Sequence, residues 1–92
     1  MSTQTPQPPS LIEYPCLFPI KVMGHAQEGF VQAMTHIATQ FDPDFDPQTI
    51  ELRPSSKGHY LGITLIIHAT SRDQLDELYR TLTTHPMVKV VL

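Results

Sequence analysis

The stretch HYLGITLIIHA, residues 59–69, decides the fold of this chain. Leucine or isoleucine recurs at every second position from Leu61 to Ile67, with a mixed set of residues between them. Strict alternation over this length predicts a β-strand that buries one face and leaves the other mixed. The mixed face holds Tyr60, Gly62, Thr64, Ile66 and His68. A sheet built around this strand needs helices over only one of its faces.

Three other segments alternate in the same way and are predicted strands: residues 17–24, 48–54 and 87–92. Gly24 ends the first of them. The side chains expected to point inward are Phe18, Ile20, Val22, Ile50 and Leu52. Those expected on the opposite face are Pro19, Lys21, Met23, Thr49, Glu51 and Arg53.

Two segments carry a helical period instead. One apolar stripe predicts a helix over residues 27–40, with Gly29 in its first turn; the stripe is Phe30, Met34, Ile37 and Phe41. Ser71 followed by Gln74 matches the capping box that begins a helix. This second helix must end before Pro86, which cannot continue it.

The resulting order is β-α-β-β-α-β, which predicts the α+β class. Right-handed crossovers and the packing of sequential elements as neighbours favour the ferredoxin-like βαββαβ sandwich. We expect a four-stranded antiparallel sheet in the order 4-1-3-2 with both helices on one face. Residues 11–92 are predicted to form this single domain. Residues 1–10 are polar and contain three prolines, so we expect a disordered N-terminal tail.

Composition narrows the range of functions. A net charge of −3 over 92 residues argues against general polyanion binding, because nucleic-acid-binding domains usually carry a basic excess. The single cysteine, Cys16, excludes an intramolecular disulfide. The chain has no apolar run long enough for a membrane span and no signal-peptide pattern at its start. We therefore expect a cytoplasmic protein.

The segment RPSSKGHY, residues 53–60, admits two interpretations. Its serines, lysine and glycine resemble a phosphate-binding loop, but such loops lead from a strand into a helix N-terminus. Here the next element is a strand, so a β-hairpin in which Gly58 takes a positive φ is the better interpretation. A hairpin that also contacts a ligand or partner stays open.

Alternation gathers four of the six basic residues on the sheet face without helices. Lys21, Arg53 and Lys89 are expected to point to that face, and Lys57 lies at its hairpin. The same face is predicted to carry Met23, Tyr60, Ile66, Met87 and Val91. A positive, partly apolar face favours an acidic partner or a second subunit. The alternative is an ordinary solvated surface.

No catalytic or metal-binding constellation emerges. The five histidines lack metal-ligand spacing, and the aspartates of residues 42–46 lack the glycine and glutamate of a calcium loop. Residues 24–29 faintly resemble the acylphosphatase loop, but Gln32 and Ala33 stand where a phosphate-holding arginine is needed. We expect no enzyme, no metal and no cofactor.

RNA binding through the basic face is the alternative function, although Tyr60 is the one aromatic residue predicted there.

Several motifs together resemble the YbeD-like family of small uncharacterised bacterial proteins. They are Tyr14-Pro15, FPIKVMG at 18–24, RPSSKGHY at 53–60 and VKVVL at 88–92. The resemblance covers residues 11–92 and implies a fold similar to that of ACT domains, which are regulatory modules that bind amino acids. The residues that define it are Lys21, Gly24, Pro54, Ser55, Ser56, Lys57, Gly58 and Tyr60. No catalytic residue is carried over.

These observations predict a non-enzymatic regulatory or interaction module, expected to be a homodimer, that binds a small anionic metabolite or an acidic protein partner. By analogy with ACT domains, the backbone N–H groups of residues 24–27 are a further candidate for anion binding. The candidate binding residues are Lys21, Gly24, Arg53, Ser55, Ser56, Lys57, Tyr60 and Lys89.

Overall fold

A computed structural model describes residues 13–92. The expected tail, residues 1–10, and the first two residues of the expected domain lie outside the described residues. Strand β1 is Cys16–His25, β2 is Glu51–Pro54, β3 is Tyr60–Ala69 and β4 is Val88–Val91. Helix α1 is Phe30–Phe41, helix α2 is Arg72–Thr83, and a short 3-10 turn covers Pro47–Thr49.

The four strands form one antiparallel sheet in the spatial order β2-β3-β1-β4. This is the predicted order 4-1-3-2 counted from the other edge, so the βαββαβ fold is confirmed. Strands β1 and β3 pair along their whole length, from Cys16 opposite Ala69 to His25 opposite Tyr60.

The core lies between the two helices and one face of the sheet. Alternate residues of β1 and β3 meet the apolar stripes of both helices there, and none of the following is more than 1% exposed: Ile20, Val22, Phe30, Met34, Ile63, Leu65, Ile67, Leu78 and Leu82. Burial of each such side chain stabilises the fold by about 1.5–3 kcal/mol relative to an exposed position. The predicted inward faces of β1 and β3 are therefore confirmed.

The sequence predicted the start of α2 correctly but not the start of α1. Helix α1 begins at Phe30, because Gly29 has φ 87° and ends the preceding segment in the left-handed region. Glycine adopts that conformation without steric cost, so the predicted start near residue 27 was wrong. Helix α2 begins as predicted: the Gln74 N–H donates to Ser71 Oγ at 3.0 Å.

The edge strands depart from simple alternation. In β4 the register shifts beside Met23, so that Val88 lies opposite Gly24 and Val90 opposite Met23. A bulge of this kind inserts one residue and reverses the alternation. Val90 therefore lies on the helix-free face. The predicted places of Met87 and Val91 on that face were wrong, since both pack against the core.

Strand β2 is shorter than predicted because Asp46 and Pro47 start a 3-10 turn before it. The Gln48 N–H donates to Asp46 Oδ1 at 2.9 Å, and Pro47 supplies a fixed φ at the first position of the turn. Leu52 pairs with Ile63 on the helix side, as predicted, yet 53% of it is exposed. Its strand is the sheet edge and has only four residues.

A buried carboxylate ties the end of α1 to the end of β3. Asp42 is 3% exposed and accepts hydrogen bonds from the Asp44 N–H at 3.0 Å and the His68 N–H at 2.9 Å. His68 Nδ1 lies 2.8 Å from Asp42 Oδ2, and because an ionised carboxylate only accepts, Nδ1 donates. Burial would raise the pKa of the Asp42 carboxyl, but the hydrogen bonds from His68 and Asp44 outweigh it, so the pKa lies below its ordinary value.

Replacing Asp42 with Asn is expected to lower the free energy of unfolding by about 2 kcal/mol at pH 7, because hydrogen bonds to a charged group are each worth about 1.5–3 kcal/mol. A pKa lowered by folding means that this contribution is complete at neutral pH and is lost as the pH falls through the folded value. In urea unfolding, the difference between wild type and Asp42→Asn should therefore shrink below about pH 4.

The matched control is Asp76→Asn on α2. That carboxylate is 58% exposed and lies 3.7 Å from Arg72 Nε, so its loss should cost less than about 1 kcal/mol at any pH. A difference for Asp42→Asn that stays constant from neutral to acid pH would contradict the role given to the carboxylate charge.

Candidate functional site

The sheet face opposite the helices, here called the open face, is ordered by strand register. Across β2, β3 and β1, Thr64 lies between Glu51 and Lys21, and Gly62 lies between Arg53 and Met23. Residues paired in this way share one face of the sheet. The predicted positions of Lys21, Arg53 and Met23 on the helix-free face are therefore confirmed.

A shallow concavity of about 410 Å³ lies on this part of the open face. Its lining includes Lys21, Met23, Glu51, Arg53, Tyr60 and Leu92. Gly62 also lines it, and a Cβ atom built on this glycine would meet nothing nearer than 3.5 Å. The missing side chain at Gly62 thus leaves space between Arg53 and Met23.

The basic residues of helix α2 form salt bridges, whereas those of the sheet and its hairpin do not. Arg72 and Arg80 each lie beside an acid of their own helix, Asp76 and Glu77. Among residues 13–92, no acid lies within salt-bridge distance of the four remaining cations, which are Lys21, Arg53, Lys57 and Lys89. Lys21 and Arg53 both line the concavity, whereas Lys57 and Lys89 are exposed but do not line it.

The RPSSKGHY segment is the predicted hairpin between β2 and β3. The Gly58 N–H donates to the Ser55 carbonyl at 2.9 Å, and Gly58 has φ 75°, which glycine adopts readily. Ser55 joins the two ends of the loop by two hydrogen bonds with Tyr60. Its N–H donates to the Tyr60 carbonyl at 2.9 Å, and its Oγ accepts from the Tyr60 N–H at 3.1 Å. Ser56 and Lys57 lie exposed at the tip. A binding role for them stays a prediction.

Gly24 lies on the helix side of the sheet, opposite Leu61, and not with Lys21 and Arg53. A Cβ atom here would lie 2.2 Å from the Met87 carbonyl oxygen and 2.7 Å from Phe30 Cζ. Close packing therefore explains this glycine. Of the N–H groups predicted to bind an anion, that of Ala26 donates to the His59 carbonyl at 2.9 Å, because β1 continues to His25. Anion binding at residues 24–27 stays a prediction.

Sequence reasoning missed two neighbours of the concavity. His25 stacks on Tyr60 with ring centroids 5.0 Å apart, and continued alternation beyond Lys21 and Met23 would have placed it there. Leu92, at the other side, exchanges hydrogen bonds with Lys21: its N–H donates to the Lys21 carbonyl at 2.7 Å. No sequence signal indicated this pairing.

A second depression lies at the other end of the open face. Its lining is Leu17, Asp44, Asp46, Thr49, Ile66 and His68. The acidic loop before β2 thus reaches the open face beside Leu17 and Ile66. The sequence does not predict this position, because nothing in the spacing of these aspartates relates them to strands β1 and β3.

The described residues hold no group of three or more His, Cys, Asp or Glu side chains that could bind a metal ion. Neither α1 nor α2 is long and apolar enough to cross a membrane.

Comparison with known proteins identifies relatives over nearly the whole chain. A family described as a protein of unknown function, DUF493, matches residues 9–92. A UPF0250 protein of Ralstonia nicotianae is 60% identical over 88 residues, which are 96% of this chain and 91% of the relative. A UPF0250 protein of Leptothrix cholodnii is 60% identical over 87 residues, 95% of this chain and 96% of the relative.

Solved structures of similar shape include a protein of H. pylori, determined in solution. It has a TM-score of 0.72 and 15% identity, covering 97% of this chain and 98% of that one. The crystal structure of the ACT domain from a GTP pyrophosphokinase of Chlorobium tepidum has a TM-score of 0.66 and 24% identity, covering 83% of this chain and 94% of that one. At these identities the likeness shows the fold alone, and it confirms the ACT-like fold.

Alanine substitutions at Gly24 and Gly62 test whether each glycine is required by close packing. Gly24→Ala is expected to destabilise the protein by about 2–3 kcal/mol in urea unfolding, because its Cβ would overlap Met87 and Phe30. Gly62→Ala should instead stabilise it by up to about 1 kcal/mol, since glycine within a strand costs about that much relative to alanine. Equal effects of the two substitutions would contradict the distinction.

Proposed function

The chain belongs to the DUF493 family of proteins of unknown function, the YbeD-like family that its motifs resemble, and we propose that it is a non-enzymatic interaction module whose open face binds a carboxylate-bearing partner. The concavity between β1 and β2 is the centre of the proposed site. A cytoplasmic location and a regulatory role, both expected from the sequence, are part of this proposal.

One observation carries the proposal: Lys21 and Arg53 line the same concavity, and neither has an acid within salt-bridge distance among residues 13–92. An arginine guanidinium can hold a carboxylate with two parallel hydrogen bonds, and a nearby ammonium adds a third donor. Glu51 lines the same concavity but forms a salt bridge with neither cation, so both retain hydrogen-bond donors for an anionic group from outside.

The surroundings of the two cations favour binding over chemistry. Met23 and Tyr60, which are 41% and 36% exposed, flank them with apolar surface. Lysine and arginine side chains offer hydrogen-bond donors, and the lining contains no histidine or cysteine. Its one carboxylate, that of Glu51, forms no salt bridge with them. This arrangement suits recognition of a carboxylate, whether it belongs to a small metabolite or to an acidic segment of a protein.

Two probes separate the sources of the carboxylate. Citrate in calorimetry represents a small metabolite, and a fluorescein-labelled polyglutamate peptide in anisotropy represents an acidic protein segment. Arg53→Gln is expected to weaken binding of the favoured probe about tenfold or more, which is the worth of one lost charged hydrogen-bond pair. Arg80→Gln on α2 is the matched control and should leave binding unchanged.

Equal binding by wild type and Arg53→Gln, or no binding of either probe, would contradict the proposal. A labelled oligouridine provides a third arm for the alternative of RNA binding. Complex formation with oligouridine that depends on Arg53 and weakens steeply with salt would favour RNA instead. The open face offers little for base stacking, because Tyr60 is already stacked on His25.

A further inference from the structure

The open face has two ends of opposite charge. The basic end holds Arg53 and Lys21 beside Met23, with Glu51 as the one acid of its lining. The acidic end holds Asp44 and Asp46 beside Leu17. We propose that the partner of this face is a second copy of the chain, with the acidic end of each copy over the basic end of the other. This inference rests on the proposed function, since it names the source of the carboxylates.

The strand register fixes how two copies match. Along β1, the residues of the open face are Leu17, Pro19, Lys21, Met23 and His25, each in its own cross-strand row. Arg53 lies in the row of Met23, and the aspartates lie at the row of Leu17. A two-fold axis that runs across the strands, between the rows of Pro19 and Lys21, exchanges these two rows.

The exchange places complementary groups together. Arg53 of one copy faces Asp44 and Asp46 of the other, and the symmetry makes every contact twice. Met23, 41% exposed, then lies over Leu17, 61% exposed, so that two apolar side chains that face solvent in one copy cover each other. The Lys21 stem passes over the row of Pro19 and Ile66, where its methylene groups find apolar surface.

The size of the open face suits a weak, reversible contact between two copies. Strands β1 and β3 have ten residues each, and β2 and β4 have four each. At ~3.3 Å per residue and ~4.8 Å per strand, the open face covers on the order of 400 Å² per copy. Two copies would bury on the order of 900 Å², which is the size of weak, transient interfaces. We therefore expect a reversible dimer with a dissociation constant in the micromolar range.

The test is a charge swap measured by sedimentation equilibrium. Wild type should show concentration-dependent dimers. Arg53→Asp and Asp44→Arg should each raise the dissociation constant about tenfold or more, because each places like charges together twice. The double variant, Arg53→Asp with Asp44→Arg, should dimerise more tightly than either single variant, since the contact with position 44 is then reversed. It should stay weaker than wild type, because Asp46 is unchanged and faces the new acid at position 53.

The two positions are chosen so that the variants still fold. Arg53 and Asp44 are both exposed, and no hydrogen bond of either side chain occurs within residues 13–92, so circular dichroism should show folded variants. The control swap, Arg80→Glu with Glu77→Arg on α2, should not alter the dissociation constant.

A monomeric wild type, single variants that dimerise like wild type, or a double variant no tighter than the single ones would each overturn the inference. The polyglutamate assay keeps the two proposals distinct. A monomer whose binding of polyglutamate or citrate depends on Arg53 would overturn the second-copy inference and uphold the proposed function. A swap-dependent dimer that binds neither probe would support the second copy alone.

Discussion

The antiparallel pairing of β1 with β3 is the constraint on which the rest of the structure depends. It joins ten residues of each strand in one register, so every second side chain of both strands faces the same way. Ile20, Val22, Ile63 and Leu65 thereby form one continuous apolar surface, and each helix has a single stripe to cover it. A slip of one residue would turn this surface to solvent, which is why the register is strongly determined.

The same pairing explains why function is sought on the other face. Both helices are needed to cover the apolar side, and the chain has no third helix among the described residues. Side chains such as Lys21 and Arg53 therefore have no role in the core. By contrast, Gly24, Ser55 and Gly58 have sufficient structural reasons in packing and in the hairpin. Residues that define a sequence motif and residues that line the concavity overlap only in part.

Local patterns were enough to predict much of this structure. Alternation identified β1 and β3, the capping residues identified α2, and proline and glycine identified the hairpin. The differences come from interactions between distant residues: the bulge in β4 arises where it meets Met23, and the approach of Met87 to Gly24 has no local signal. At the candidate site, alternation placed Lys21 and Arg53 correctly. It could not place the acidic loop, since only the folded chain brings Asp44 to Leu17.

The short edge strand β2 has a consequence for the behaviour of the protein at high concentration. Long, flat edges with free N–H and C=O groups can recruit strands from other molecules and start aggregation. Here the edge has four residues, two of which are the charged Glu51 and Arg53, and it ends at Pro54, which has no N–H to donate. Lateral growth of the sheet from this edge is therefore disfavoured, and the β2 side resists the edge-to-edge pairing by which open sheets polymerise.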